Sequence, residues 1–70
     1  MAMTPGQFIR ARRTVLRISQ RKLGEMCGYT GHGAETTVQY WENDQRIVPT
    51  ERLRRLAKAL KCPLDSPLIP

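Results

Sequence analysis

Ser19 and Gly28 bracket a short apolar pattern, Leu23 and Cys27, and that bracket constrains the fold more than any other feature of the chain. Ser is a preferred N-cap, and Gly just past a helix accommodates the left-handed conformation that ends it. The segment between them therefore reads as a helix over about 20–27. A helix of two turns holds in water only when neighbours cover its apolar face. Gly24 lies inside it, where glycine costs about 1 kcal/mol relative to Ala. The simplest compensation is a helix crossing so close that no side chain fits.

The remaining segments supply those neighbours. Thr4-Pro5-Gly6-Gln7 has the form of a capping box with Pro at the first helical position. It predicts a helix over about 5–16, with Phe8, Ile9, Ala11, Val15 and Leu16 at apolar spacing and Arg10, Arg12 and Arg17 facing outward. Tyr29 to Gly33 reads as a turn, because two glycines break helical order. A third helix is expected over about 34–43, with Val38 and Trp41 as its buried stripe and Glu35, Thr36, Thr37, Gln39 and Tyr40 on the polar remainder.

Asp44-Gln45-Arg46 is a polar connector, and Val48-Pro49-Thr50 sets up the N-cap of a fourth helix over about 50–61. There Leu53, Leu56, Ala57 and Leu60 give the cleanest amphipathic pattern in the chain, with Arg52, Arg54, Arg55, Lys58 and Lys61 outside. Pro63, Pro67 and Pro70 prevent a further long helix, leaving an irregular tail over 62–70 that can drop Leu64 and Leu68 onto the core. The expectation is one all-α domain over residues 1–70, with four helices and no strand.

Charge narrows the partner. The 70 residues carry 12 Lys and Arg against six Asp and Glu, a formal net charge of +6, and nine of the 12 are Arg. Such a field favours a polyanion, and Arg suits bidentate contacts to phosphate and guanine better than Lys does. No apolar run approaches the roughly 20 residues of a membrane span, and no signal peptide is visible, so a soluble cytoplasmic chain is expected. A membrane-surface role lacks the long amphipathic helix with a bulky apolar face. Two Cys and one His, with no CxxC pair, make a metal site unexpected, and Cys27 reads as a small buried hydrophobe. No clustered nucleophile, acid–base pair or cofactor motif points to an enzyme.

Two short helices joined by a Gly-bearing turn make a helix-turn-helix. Ile18-Ser19-Gln20-Arg21-Lys22-Leu23-Gly24, then Gly28-Tyr29-Thr30, then Thr37-Val38-Gln39-Tyr40-Trp41-Glu42-Asn43 resemble the phage repressor and Cro-like (xenobiotic-response-element type) helix-turn-helix domains. Val48-Pro49 and Leu53 through Leu60 extend the resemblance over about residues 5–65. It implies a compact lambda-repressor-like domain of four to five helices. The third helix would then be a recognition helix, buried on one side and bearing short polar groups that reach base edges on the other.

By resemblance the base-reading positions fall at Glu35, Thr36 and Thr37, with Tyr40 one turn on. Gln39 has the chemistry for a bidentate contact to adenine. Gln20 matches a position that contacts the DNA backbone, and Asn43 and Arg46 match positions that look toward the sugar-phosphate chain. Arg21 and Lys22 are further backbone candidates, with a solvated role equally open for each. Arg13 and Glu42 match a structural ion pair between the first and third helices.

The chain departs from the family between Gly28 and Trp41, where it spends about four residues more than usual, close to one helical turn. Gly31-His32-Gly33-Ala34 is the extra material. The glycines favour a longer turn over an extended recognition helix, with His32 exposed or reaching DNA. The implied function is a sequence-specific double-stranded DNA-binding regulator, a repressor that occludes a palindromic operator as a homodimer, with half-sites about 34–36 Å apart. The alternative is an antitoxin-like protein-interaction module with secondary DNA binding, for which the Leu64–Pro70 tail is the candidate apolar patch.

Overall fold

The structure is a computed structural model, and it describes residues 3–62. Its order is α1 (Pro5–Val15), α2 (Gln20–Met26), α3 (Gly31–Glu42) and α4 (Thr50–Ala59), with no strand among the described residues. Of the expected tail over 62–70, all beyond Cys62, including Leu64 and Leu68, lies outside them. No described helix is long and apolar enough to cross a membrane.

The caps of α1 and α2 follow from their residues. Thr4 accepts from the Gln7 backbone N–H, and the Gln7 side chain accepts from the Thr4 N–H, completing the capping box. Ser19 Oγ accepts from the Lys22 N–H at 3.0 Å. At α4 the cap shifts by one residue: Pro49 is the N-cap and Thr50 the first helical residue.

The C-termini share a device that was legible only at Gly28. Each described helix is followed by a residue in the left-handed region: Arg17 (φ 58°), Gly28 (φ 100°), Asp44 (φ 56°) and Lys61 (φ 54°). The next backbone N–H then reaches back to the carbonyl five residues earlier, as in Ile18 to Arg13, Tyr29 to Gly24, Gln45 to Tyr40 and Cys62 to Ala57. These are Schellman endings, which satisfy carbonyls that a helix end otherwise leaves unpaired. Three of them use a residue with a Cβ, at a steric cost of about 1–2 kcal/mol each.

Ile9, Leu23, Cys27, Val38, Trp41, Val48, Leu56, Ala57, Ala59 and Leu60 form the core, with Phe8, Ile18, Tyr29, Leu53 and Cys62 packed at its edge. Trp41 meets Tyr29 edge to face, with ring centroids 5.8 Å apart. Cys27 is fully buried, and burial pushes its thiol up to about 11 despite the nearby positive charge of Arg52 and Arg55, so it packs as a neutral hydrophobe.

Several side chains sit differently from the sequence reading. Val15 is 70% exposed, because at 100° per residue it lies about 120° round α1 from the buried Ile9. Arg12 bends inward and donates to the Leu60 and Lys61 carbonyls, closing the end of α4. Arg52, expected outside, lies over the Tyr29 ring and donates to the Cys27 carbonyl at the end of α2. Long Arg side chains reach helix-end carbonyls that a spacing rule does not see.

Gly24 behaves as expected. It is buried where α2 crosses α3, and a Cβ there would overlap the Ala34 carbonyl and its Cβ. Gly24→Ala should therefore lower stability by about 2–3 kcal/mol, the cost of overpacking, although Ala is the better helix former. Urea unfolding would report this as a lower midpoint at unchanged slope. A rise in midpoint would mean the crossing is not closed.

Candidate nucleic-acid interface

The site is built from the start of α2, the outer face of α3 and the loop that follows. The third helix starts at Gly31, three residues earlier than expected, so the Gly31–Ala34 segment is helix and the preferred longer turn is corrected. Propensity argued against a helix containing two glycines. The segment is only the first turn of a 12-residue helix, whose remaining length is anchored by Ala34, Val38, Trp41 and Glu42. The connection from α2 shrinks to Cys27–Thr30.

Glu42 holds this corner together. Its side chain is fully buried, and its carboxylate receives three side chains. Arg13 Nε donates to Oε2 at 2.5 Å and Arg13 Nη2 to Oε1 at 3.3 Å. Arg10 Nε and Gln20 Nε2 donate to Oε1 at 3.2 and 3.1 Å. The sequence reading paired Glu42 with Arg13 alone and placed Arg10 outward. Arg10 stands three residues before Arg13, so helical spacing brings both to the same face of α1.

Burial by itself raises the Glu42 carboxyl. The hydrogen bonds from Arg13, Gln20 and Arg10 and the charge of Arg13 outweigh it and hold the pKa below the ordinary 4.5.

From Glu42 the network runs to the surface. Gln20 spends its amide N–H on Glu42, and its Oε1 accepts from Gln39 Nε2 at 3.3 Å. The buried carboxylate thus fixes the Gln20 amide, and Gln20 in turn orients the exposed Gln39. Arg10 also reaches Asn43 Oδ1 at 3.5 Å. An exposed Gln held this way presents its remaining donor and acceptor in one direction, as bidentate base contact requires.

At 100° per residue, His32, Thr36, Gln39 and Asn43 fall within a sector of about 60° on α3, opposite the buried stripe. Glu35 and Tyr40 flank that sector, both half-buried. Thr37 is also half-buried and lies farthest round toward the core side, although it shares the polar face in the sequence pattern. Thr36 is half-buried as well, and its hydroxyl donates to the His32 carbonyl at 3.1 Å. Tyr40 carries the Arg46 guanidinium 4.2 Å above its ring, so the loop after the helix is tied to the helix face.

On α2, Arg21 makes an exposed pair with Glu25 at 3.6 Å, while Lys22 is exposed. Asp44 was not singled out from sequence. Its carboxylate accepts from Thr4 Oγ1 at 2.7 Å and from the Gly6 N–H at 2.9 Å, joining the end of α3 to the start of α1. Only the left-handed turn after α3 aims it there.

Comparison with known proteins places the chain. Residues 9–66 match the Helix-turn-helix family. The chain is 38% identical over 60 residues to Repressor protein C2 of Salmonella phage P22, a match spanning 86% of this chain and 26% of that repressor. It therefore spans about a quarter of the length of that relative. The fold also matches the crystal structure of the P22 c2 repressor protein in complex with synthetic operator 9T in the presence of Tl+. That match has a TM-score of 0.84 and 35% identity over 97% of each chain. The chain belongs to the Cro/C1-type helix-turn-helix family, a family of DNA-binding regulators rather than of enzymes.

Glu42→Gln should cost about 3 kcal/mol at neutral pH, the low end for a broken buried ion pair, because Arg10 and Arg13 keep some access to water. A carboxyl whose folded pKa is depressed contributes stability above its unfolded value and loses it as pH falls through the folded value. The gap between the two proteins should thus stay level above about pH 5 and narrow below about pH 4.5. Urea unfolding across that range measures it; a gap that is absent at neutral pH, or unchanged in acid, contradicts the network.

Proposed function

We propose that this helix-turn-helix chain is a sequence-specific double-stranded DNA-binding repressor that acts by occupying its operator. The observation that carries the reading is the relay from buried Glu42 through Gln20 to Gln39, which holds an amide on the exposed face of α3. A solvated surface has no need of a glutamine oriented from the core. A groove-reading helix does, because a base contact discriminates only if its geometry is set before binding.

In this reading Gln39 and Thr36 face base edges, with Glu35, Thr37 and Tyr40 at the margins of the contact. Gln20, Lys22, Asn43 and Arg46 meet the sugar-phosphate chains on the two sides of the groove, and Arg21 adds charge beside them. Phosphate contacts set position and affinity, while base contacts set sequence. The net charge of +6 supports both by drawing the duplex in. The relative seen on a synthetic operator supports the same class of ligand. Binding as a homodimer to a palindromic site, in the cytoplasm, completes the proposal, with two α3 helices about one helical turn apart on the duplex.

The test is selection from a random duplex pool at moderate salt, followed by titration of the enriched site. Gln39→Ala should relax preference at one base pair, by about 1–3 kcal/mol of discrimination. Arg46→Ala should weaken all duplexes alike and reduce the log–log salt slope by about 0.9. If the wild-type chain enriches no sequence, specific recognition is refuted.

A further inference from the structure

The first turn of α3 overhangs the body of the protein. Gly31, His32 and Gly33 are all exposed, and Ala34, the first buried residue of the helix, is the one that meets Gly24 of α2. Three residues at a rise of about 1.5 Å carry the helix about 4.5 Å past that crossing. A Cβ built on Gly31 or on Gly33 would meet no other part of the described chain within 4 Å.

The fold explains one of the tip's glycines and not the other. Gly31 has φ +61°, a conformation that side chains rarely adopt. Gly33 has no such angle, and a Cβ built on it would find no described atom within 4 Å. Alanine there would fit the protein and favour the helix. The bare backbone at Gly33 therefore has no cause inside the described chain, and a close approach from outside would supply one. Beside it, His32 continues the sector of Thr36, Gln39 and Asn43 at the spacing i, i+4, i+7, i+11. The Thr36 hydroxyl, bonded to the His32 carbonyl, braces the tip against the glycines' freedom.

We infer that the Gly31–Gly33 turn is the leading tip of the reading surface. At Gly33 the wall of the DNA groove runs against bare helix backbone, and His32 adds a base contact one helical turn beyond Thr36. An imidazole nitrogen can donate to the N7 or O6 of guanine at that depth. This inference rests on the DNA-binding reading, and it lengthens the recognised site at one end.

Gly33→Ala and His32→Ala, made in the full chain, test it against the duplex that the wild-type chain enriches from a random pool. Gly33→Ala should melt a few degrees higher, as helix propensity dictates, yet bind that duplex about tenfold more weakly. His32→Ala should fold like the wild type, and its own selection should lose preference at a single outer base pair while keeping the rest. Gly33→Ala that binds within about twofold of the wild type, or His32→Ala that selects an unchanged site, overturns the inference and leaves the DNA reading standing. A wild-type chain that enriches nothing overturns both.

Discussion

The buried carboxylate of Glu42 is the constraint on which the rest of the arrangement depends. A charge removed from water is tolerable only when donors surround it, and here the donors come from two other helices. Arg10 and Arg13 fix α3 against α1, and Gln20 fixes it against the first turn of α2. Arg13 also donates to the Ile18 carbonyl, so the same guanidinium holds the loop from α1 into α2. One carboxylate thereby sets the positions of three helices in a domain whose apolar core is small.

Two further devices act with it. The close crossing at Gly24 and Ala34 fixes how α2 lies across α3, and the left-handed turns after each described helix fix where the chain goes next. Asp44 belongs to both the turn after α3 and the cap of α1, so the end of one helix closes the start of another. Polar contacts of this kind carry specificity of arrangement, while burial of Ile9, Leu23, Val38, Trp41, Leu56 and Leu60 supplies the driving force. The face offered to a partner is the outward continuation of the same network.

Much of this was legible beforehand. The caps at Thr4 and Ser19, the stop at Gly28, the stripe of Val38 and Trp41 and the close crossing at Gly24 all follow from local rules that need no tertiary information. The start of α3 was misread because propensity weighs glycine residue by residue, whereas a long helix anchored downstream carries a weak first turn. Arg10, Arg12 and Arg52 were read as outward because charged residues usually are. Each instead reaches an acceptor on a distant element, the Glu42 carboxylate or a carbonyl at the end of α2 or α4.

The order of the helices, the family they resemble and the polar face of α3 were determined by the sequence alone, because helical periodicity, caps and breakers act within a few residues. Only the tertiary structure decided which of those polar residues are oriented and which merely lie at the surface. Gln39 is held because Gln20, from another helix, is itself held by a carboxylate in the interior. The tertiary structure also showed that a Cβ at Gly33 would meet nothing among the described residues, since an open position can be recognised only once its neighbours have been placed.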